Sequence, residues 1–220
     1  MTIEIKTCGL TDPAAVRAAV DAGADMVGFV FFARSPRHIE PARAAELAED
    51  VPAGILKVGL FVDPTDAEIE AVLAHVALDM IQLHGDELPQ RVAEVREAFD
   101  KPVMKAVAIA SPGDVIAARA YEAVADRLLF DAKPPEGAER PGGNALAFDW
   151  ALIADADWTL PWMLAGGLTP ENVAAAIRAT NAPGVDVSSG IEDAPGRKNP
   201  QKIRAFIAAA RRGVAAARGA

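Results

Sequence analysis

Residues 26–31 read Met26-Val27-Gly28-Phe29-Val30-Phe31, and residues 55–62 read Ile55-Leu56-Lys57-Val58-Gly59-Leu60-Phe61-Val62. Both are almost unbroken apolar runs of strand length. A strand with one wet face alternates polar and apolar side chains. A strand covered on both faces does not, and that is the pattern of a parallel sheet flanked by helices. An Ala-rich amphipathic segment near 41–50 lies between the two runs, so this stretch reads as strand, helix, strand.

The same alternation extends in both directions. Strands are predicted near 2–7, 25–31, 55–62, 79–83, 102–107, 127–130, 161–165 and 184–187. Helices are predicted near 12–22, 41–50, 65–76, 87–99, 112–123, 148–154, 170–180 and 200–212. Helix starts carry their own signals: Thr11-Asp12-Pro13, Asp63-Pro64-Thr65, Ser111-Pro112 and Thr169-Pro170-Glu171 each combine a capping side chain with a proline suited to the first turn. Eight strand–helix units joined by short connections predict closure into a (β/α)8 TIM barrel, with an open doubly wound sheet as the alternative. No linker divides residues 1–220, so one domain is expected, with a fraying tail after about residue 211. The single long irregular segment is 131–147, rich in proline and glycine. Loops of this length in compact domains are commonly functional.

Bulk properties narrow the function. The formal net charge of −9 argues against a nucleic-acid-binding surface. It does not oppose a phosphate ester, because phosphate sites are built locally from backbone N–H groups. The lone cysteine, Cys8, excludes an intrachain disulfide and suits a reducing compartment. With three scattered histidines and no C-x-x-C pair, no metal site is expected. No apolar run has the length to span a bilayer, and Met1–Lys6 lacks a signal-peptide pattern. The expectation is a cytoplasmic protein.

In a barrel of this kind the chemistry lies at the C-terminal ends of the strands. Cys8 lies there after the first strand. A lone cysteine is commonly a small buried hydrophobe, but the nearby Lys6 offers a positive environment that favours the reactive thiolate. Asp131 directly follows the apolar run Leu128-Leu129-Phe130. It is an unlikely helix cap, since the next helix is predicted only near 148. A thiol and a carboxyl across one barrel mouth suit paired general acid–base work. Gly166-Gly167 after the seventh strand and Ser188-Ser189-Gly190 after the eighth fit a phosphate site. Arg37 offers a two-pronged fork for a carboxylate, the alternative being a solvated loop charge, as expected for Arg34 and His38 nearby. His84 is either a pocket residue or a satisfied hydrogen-bonding group.

These pieces together resemble the phosphoribosylanthranilate isomerase family. The resemblance is carried by Lys6-Thr7-Cys8-Gly9-Leu10-Thr11, Gly28-Phe29-Val30-Phe31, Ser35-Pro36-Arg37, Gln82-Leu83-His84-Gly85, Leu129-Phe130-Asp131, Ala165-Gly166-Gly167-Leu168, Val185-Asp186-Val187-Ser188-Ser189-Gly190-Ile191-Glu192 and Pro195-Gly196-Arg197-Lys198. It covers about residues 3 to 210. Thr7 departs from it, standing where the family usually has an aliphatic residue.

The resemblance implies an Amadori rearrangement of N-(5-phosphoribosyl)anthranilate in tryptophan biosynthesis, with Asp131 as general acid and Cys8 as general base. It implies that Arg37 holds the anthranilate carboxylate. Gly166, Gly167, Ser188, Ser189 and Gly190 would surround the phosphate, and His84 and Asp186 would line the pocket. It calls for no cofactor and no metal. The implied partner is a small phosphoribosyl substrate, without nucleic acid or membrane, and the chain is expected as a monomer or homodimer. Rival readings remain. A histidine-pathway isomerase would use two aspartates for the same chemistry, whereas this sequence presents Cys8 at the end of the first strand, and an indole-glycerol-phosphate synthase would call for a lysine-rich set. A non-catalytic phosphosugar-binding protein would not need both Cys8 and Asp131.

Overall fold

The first strand, β1 (Glu4–Cys8), pairs in parallel with β2 (Met26–Val30) on one side and with β8 (Gly184–Val187) on the other. That double pairing closes the sheet and rules out the open doubly wound alternative. A computed structural model of the chain describes residues 3–133, 142, 148–154 and 156–217, with side chains to residue 213. Between β2 and β8 come β3 (Leu56–Phe61), β4 (Met80–Leu83), β5 (Val103–Ile109), β6 (Arg127–Ala132) and β7 (Trp162–Leu164), all parallel, in one closed eight-stranded barrel. The helices are α1 (Pro13–Ala22), α2 (Pro41–Glu49), α3 (Asp66–Leu73), α4 (Pro89–Phe99), α5 (Pro112–Ala118), α6 (Ala151–Ala154), α7 (Val173–Thr180) and α8 (Pro200–Ala217).

Two apolar layers explain the unbroken runs. Val27 and Phe29 of β2 point outward into a shell under the helices, together with Ile5, Ile81 and Phe130. Met26, Val58, Met80, Met104, Leu129 and Met163 point inward and fill the barrel below its mouth. Methionine suits that position because an unbranched, polarisable side chain fills irregular space. Side chains two apart on a strand share a face. Lys6 and Cys8 therefore look into the same interior.

The expected caps are present at three helices. Asp12 accepts from the Ala15 amide at 2.9 Å, and Thr65 and Ser111 each form a reciprocal capping box. Other boundaries differ from expectation. β6 extends to Ala132, so Asp131 belongs to the strand itself and inherits its inward direction. α7 begins at Val173 and not near 170, because the Asn172 side chain accepts from the Thr169 amide at 2.7 Å and holds the preceding turn. The expected helix at 148–154 contracts to Ala151–Ala154. α8 runs on to Ala217, and Arg211, expected to begin a fraying tail, bonds the carbonyls of Ile3 and Gly23 and the Asp25 carboxylate. Apart from 131–133 and Gly142, the long segment 131–147 lies outside the described residues.

After β8 the chain forms a short antiparallel hairpin, β9 (Glu192–Ala194) and β10 (Arg197–Lys198), turning at Pro195-Gly196. Gly196 has φ +80, and a Cβ there would lie 2.1 Å from the Pro36 carbonyl oxygen. The turn thus needs glycine both for its left-handed backbone and for its close approach to the loop after β2. No helix of the described residues is long and apolar enough to cross a membrane.

Candidate active site

Two adjoining cavities open at the C-terminal ends of the strands. The first is walled by Cys8, Arg37, His84, Asp131, Asp186 and Ser188 among polar groups, with Val30, Phe32, Leu60 and Val62 on its apolar side. The second carries Gly166, Gly167, Ser188 and Ser189 and shares Asp131 and Asp186 with the first. The residues singled out at six strand ends thus converge, with one exception. Gly190 is not on either wall. It lies behind the second cavity, where a Cβ would fall 1.9 Å from the Leu168 carbonyl oxygen, so glycine there lets the loops after β7 and β8 touch.

Cys8 closes β1 and is buried. Gly28, its partner in register on β2, leaves room for the sulfur: a Cβ at 28 would lie 2.9 Å from Sγ. Beneath it Lys6 Nζ bonds Asp186 Oδ1 at 2.9 Å, with the lysine fully buried. Burial alone would pull Lys6 down, but Asp186 and then Cys8 outweigh it and hold the ammonium above its ordinary range. The expectation that positive surroundings leave Cys8 a ready thiolate is corrected. Burial raises the thiol, Lys6 and Lys198 pull it back, Asp186 opposes them, and the net shift is upward. Desolvation wins because the sulfur sits in an apolar corner.

Asp131 carries a different environment. Its Oδ2 lies 3.2 Å from His84 Nε2, and its Oδ1 accepts from the Ala132 amide at 2.8 Å. His84 Nδ1 in turn lies 2.8 Å from Gln82 Nε2. With the amide in this orientation, Gln82 donates to Nδ1 and the ring donates from Nε2 to a carboxylate. Gln82 Oε1 has no partner among the described residues. Exchanging the two amide atoms would place the ring hydrogen on Nδ1 and leave Nε2 to accept from a protonated Asp131, the form a general acid requires. Amide and tautomer assignments of this kind follow from the network and not from hydrogen positions. Gly142 closes over the pair: a Cβ there would lie 2.5 Å from His84 Nε2 and 2.7 Å from Asp131 Oδ2.

Arg37 is not a solvated loop charge but is 5% exposed. Its Nε and Nη2 meet Glu192 Oε1 and Oε2 at 2.7 and 2.8 Å, a two-pronged pair that commits this edge of the guanidinium to β9. Gly9, at φ +77, packs on the arginine stem, where a Cβ would lie 2.8 Å from its Cδ. Lys198 Nζ completes the set with bonds to Glu192 Oε1 at 2.7 Å and to the Ser188 carbonyl at 2.9 Å. Burial lowers Lys198 to about 8, although Glu192 opposes the fall. Burial would raise Glu192, but Arg37 and Lys198 hold it below the usual carboxylate range. His38, expected in solvent beside Arg34, is partly buried against Glu40, whereas Arg34 is exposed.

On the second cavity, Gly166 and Gly167 adopt φ +80 and +60. A Cβ on Gly166 would lie 2.7 Å from the Ala132 amide nitrogen. Asn172 Nδ2 donates to the Gly167 carbonyl at 2.9 Å and ties the loop to the turn before α7. The result is a small polar pocket of backbone and serine groups, suited to a phosphate. Among the described residues no group of three or more histidine, cysteine or acidic side chains is arranged to hold a metal ion.

Residues 5–209 match the family model described as N-(5'phosphoribosyl)anthranilate (PRA) isomerase. The chain belongs to this family. Among similar isomerases, that of Paracoccus denitrificans is 63% identical over 96% of this chain and 98% of its own. That of Paramagnetospirillum magneticum is 57% identical over 97% and 99%. The crystal structure of phosphoribosyl anthranilate isomerase from Thermotoga maritima superposes with a TM-score of 0.85 at 36% identity, covering 94% of this chain and 98% of that one. A further isomerase structure, in complex with reduced 1-(o-carboxyphenylamino)-1-deoxyribulose 5-phosphate, gives a TM-score of 0.83 at 34% identity, with the same coverage.

Gln82, Glu192 and Lys198 had no assigned role in the sequence reading, and Lys6 had one only as a positive neighbour of Cys8. Lys6 was legible from strand parity with Cys8. Gln82 bears the same relation to His84. Glu192 and Lys198 had no such signal, because their meeting depends on a hairpin that no run of alternating residues announces.

Proposed function

We propose that this chain works in the cytoplasm, isomerising N-(5'-phosphoribosyl)anthranilate to 1-(2-carboxyphenylamino)-1-deoxyribulose 5-phosphate in tryptophan biosynthesis, with Asp131 as general acid and Cys8 as general base. The observation that carries it is the presence of one thiol and one carboxyl on the wall of a single cavity, next to a second cavity lined by glycine backbone and serine. Asp131 protonates the furanose ring oxygen, the C1–O bond breaks with its pair going to that oxygen, and the anthranilate nitrogen's lone pair forms the C1=N bond of an iminium. Cys8, as thiolate, removes the proton on C2, and its electron pair forms the C1–C2 double bond of an enolamine. Each proton transfer supplies a factor of the size general acid–base groups ordinarily give, ~10²–10⁴.

Arg37 takes the anthranilate carboxylate. Gly166, Gly167, Ser188 and Ser189 hold the phosphate, and Gly190 shapes their loop. His84 orients the Asp131 carboxyl, and Asp186 keeps Lys6 charged below the base. Every group in this account comes from one chain, so the reading holds for a monomer or a homodimer. The test is the fluorescence decay of freshly made phosphoribosylanthranilate with the purified chain. Decay to the ketone product, slowed ~10²–10⁴-fold in a Cys8 variant, is expected. Decay no faster than without protein would overturn the reading.

A further inference from the structure

Cys8 and Asp131 are both buried but are differently partnered. The cysteine is 3% exposed and clusters with Val30 and Leu60, against which Phe32 and Val62 also pack. Its polar neighbours, Lys6 and Asp186, are buried and bonded to each other. Asp131 sits across the mouth and is coupled through His84 to Gln82. One proton-handling group is therefore backed by apolar side chains on the cavity wall, and the other ends a hydrogen-bonded chain.

We propose that Cys8, having taken the proton from sugar C2, delivers it to C1, so that the enolamine becomes the ketone on the enzyme and not after release. This rests on the acid–base reading above. C1 and C2 are bonded, roughly 1.5 Å apart, so one sulfur reaches both from the same face. The step balances. The S–H bond breaks and the enol π pair forms a new C1–H bond. The O2–H bond breaks, its pair becomes the C2=O π bond, and that proton goes to the Asp131 carboxylate, which had earlier given its own to the ring oxygen. Cys8 ends as thiolate and Asp131 as carboxylic acid, the states in which they began, so no proton need cross between them through solvent.

Burial favours retention, since a proton on a desolvated sulfur has few partners for exchange. The nearest is Lys6. Although its burial acts the other way, Asp186 and Cys8 hold it as the ammonium, and its Nζ is committed to Asp186 Oδ1 at 2.9 Å.

The wild-type chain decides the matter with two labels. Substrate deuterated at C2 is turned over in ordinary water, and unlabelled substrate is turned over in D2O. The ketone is trapped at once with borohydride and C1 is examined by NMR. Deuterium moved from C2 to C1 is expected, well above a control that rearranges without enzyme. In D2O, whatever deuterium enters C1 is expected at one of its two diastereotopic positions. Equal labelling of both positions would place the tautomerisation in solution and overturn the proposal. Stereospecific labelling in D2O with no transfer from C2 would assign the donor to another group and overturn it equally. In either case normal turnover would leave the acid–base reading standing, whereas absence of turnover would overturn both.

Discussion

Lys6 Nζ and Asp186 Oδ1 stand 2.9 Å apart inside the barrel, joining the first and last strands directly beneath the sulfur of Cys8. Removing one partner leaves the other charged and buried. Lys6→Met and Asp186→Leu are each expected to cost about 3–5 kcal/mol, and the double variant to recover much of that loss. Urea unfolding checks this. A double variant no better than the worse single would contradict it.

The same pair tunes the base. Turnover needs one proton shared between two groups, Asp131 protonated and Cys8 ionised, so kcat/KM falls once the pair has lost that proton. Because burial pushes the thiol up, the alkaline limb is expected above the ordinary thiol range of about 8.5. Lys6 lowers the thiol and Asp186 raises it. Lys6→Gln should therefore move that limb to higher pH and Asp186→Asn to lower pH. Movement in the same direction would show that neither charge acts on Cys8.

Cys8→Ser and Asp131→Asn are expected to lower kcat by ~10²–10⁴ while leaving affinity for a reduced product analogue nearly unchanged. Stopped turnover and calorimetry separate the two effects. Near-normal kcat in either variant would remove that residue from the chemistry.

Arg37 and the loops after β7 and β8 are expected to grip opposite ends of one ligand. Arg37→Ala should weaken an anthranilate-bearing analogue by about ten- to a hundredfold, the loss of a charge-assisted hydrogen bond of ~1.5–3 kcal/mol, and ribose 5-phosphate far less. Gly167→Val should weaken both, because φ +60 is strained for a branched side chain. Equal losses for the two ligands in the Arg37 variant would refute the division.

Thr7 lies in the outer apolar shell with its hydroxyl unpartnered among the described residues. Thr7→Val keeps the shape and removes the unpaired group. It is expected to stabilise by about 1 kcal/mol, read as a higher urea midpoint at unchanged slope. A lower midpoint would mean the hydroxyl is satisfied.

The barrel was legible because Met26–Phe31 and Ile55–Val62 state their two-sided burial in composition alone. The strand-end residues Cys8, Asp131, Gly167 and Ser188 were legible because strand direction puts them on one rim. The surroundings were not. Whether Cys8 sits in a positive or an apolar corner depends on Val30 and Leu60 from other strands, and desolvation has no sequence pattern. The burial of Arg37 was not legible, because its partner Glu192 lies 155 residues away, beyond any local rule.

The junction of β1 with β8 also bears on how the chain is made. Lys6 must wait for a partner 180 residues further on. At ~5–20 residues per second of synthesis, that is on the order of ten to forty seconds during which the first strand has one bare edge. The barrel becomes a ring only when its last quarter has left the ribosome, and α8 then clasps the start of the chain through Arg211. A ribosome pause before β8 would thus hold an open, edge-bearing sheet, the form most prone to pairing with another nascent chain.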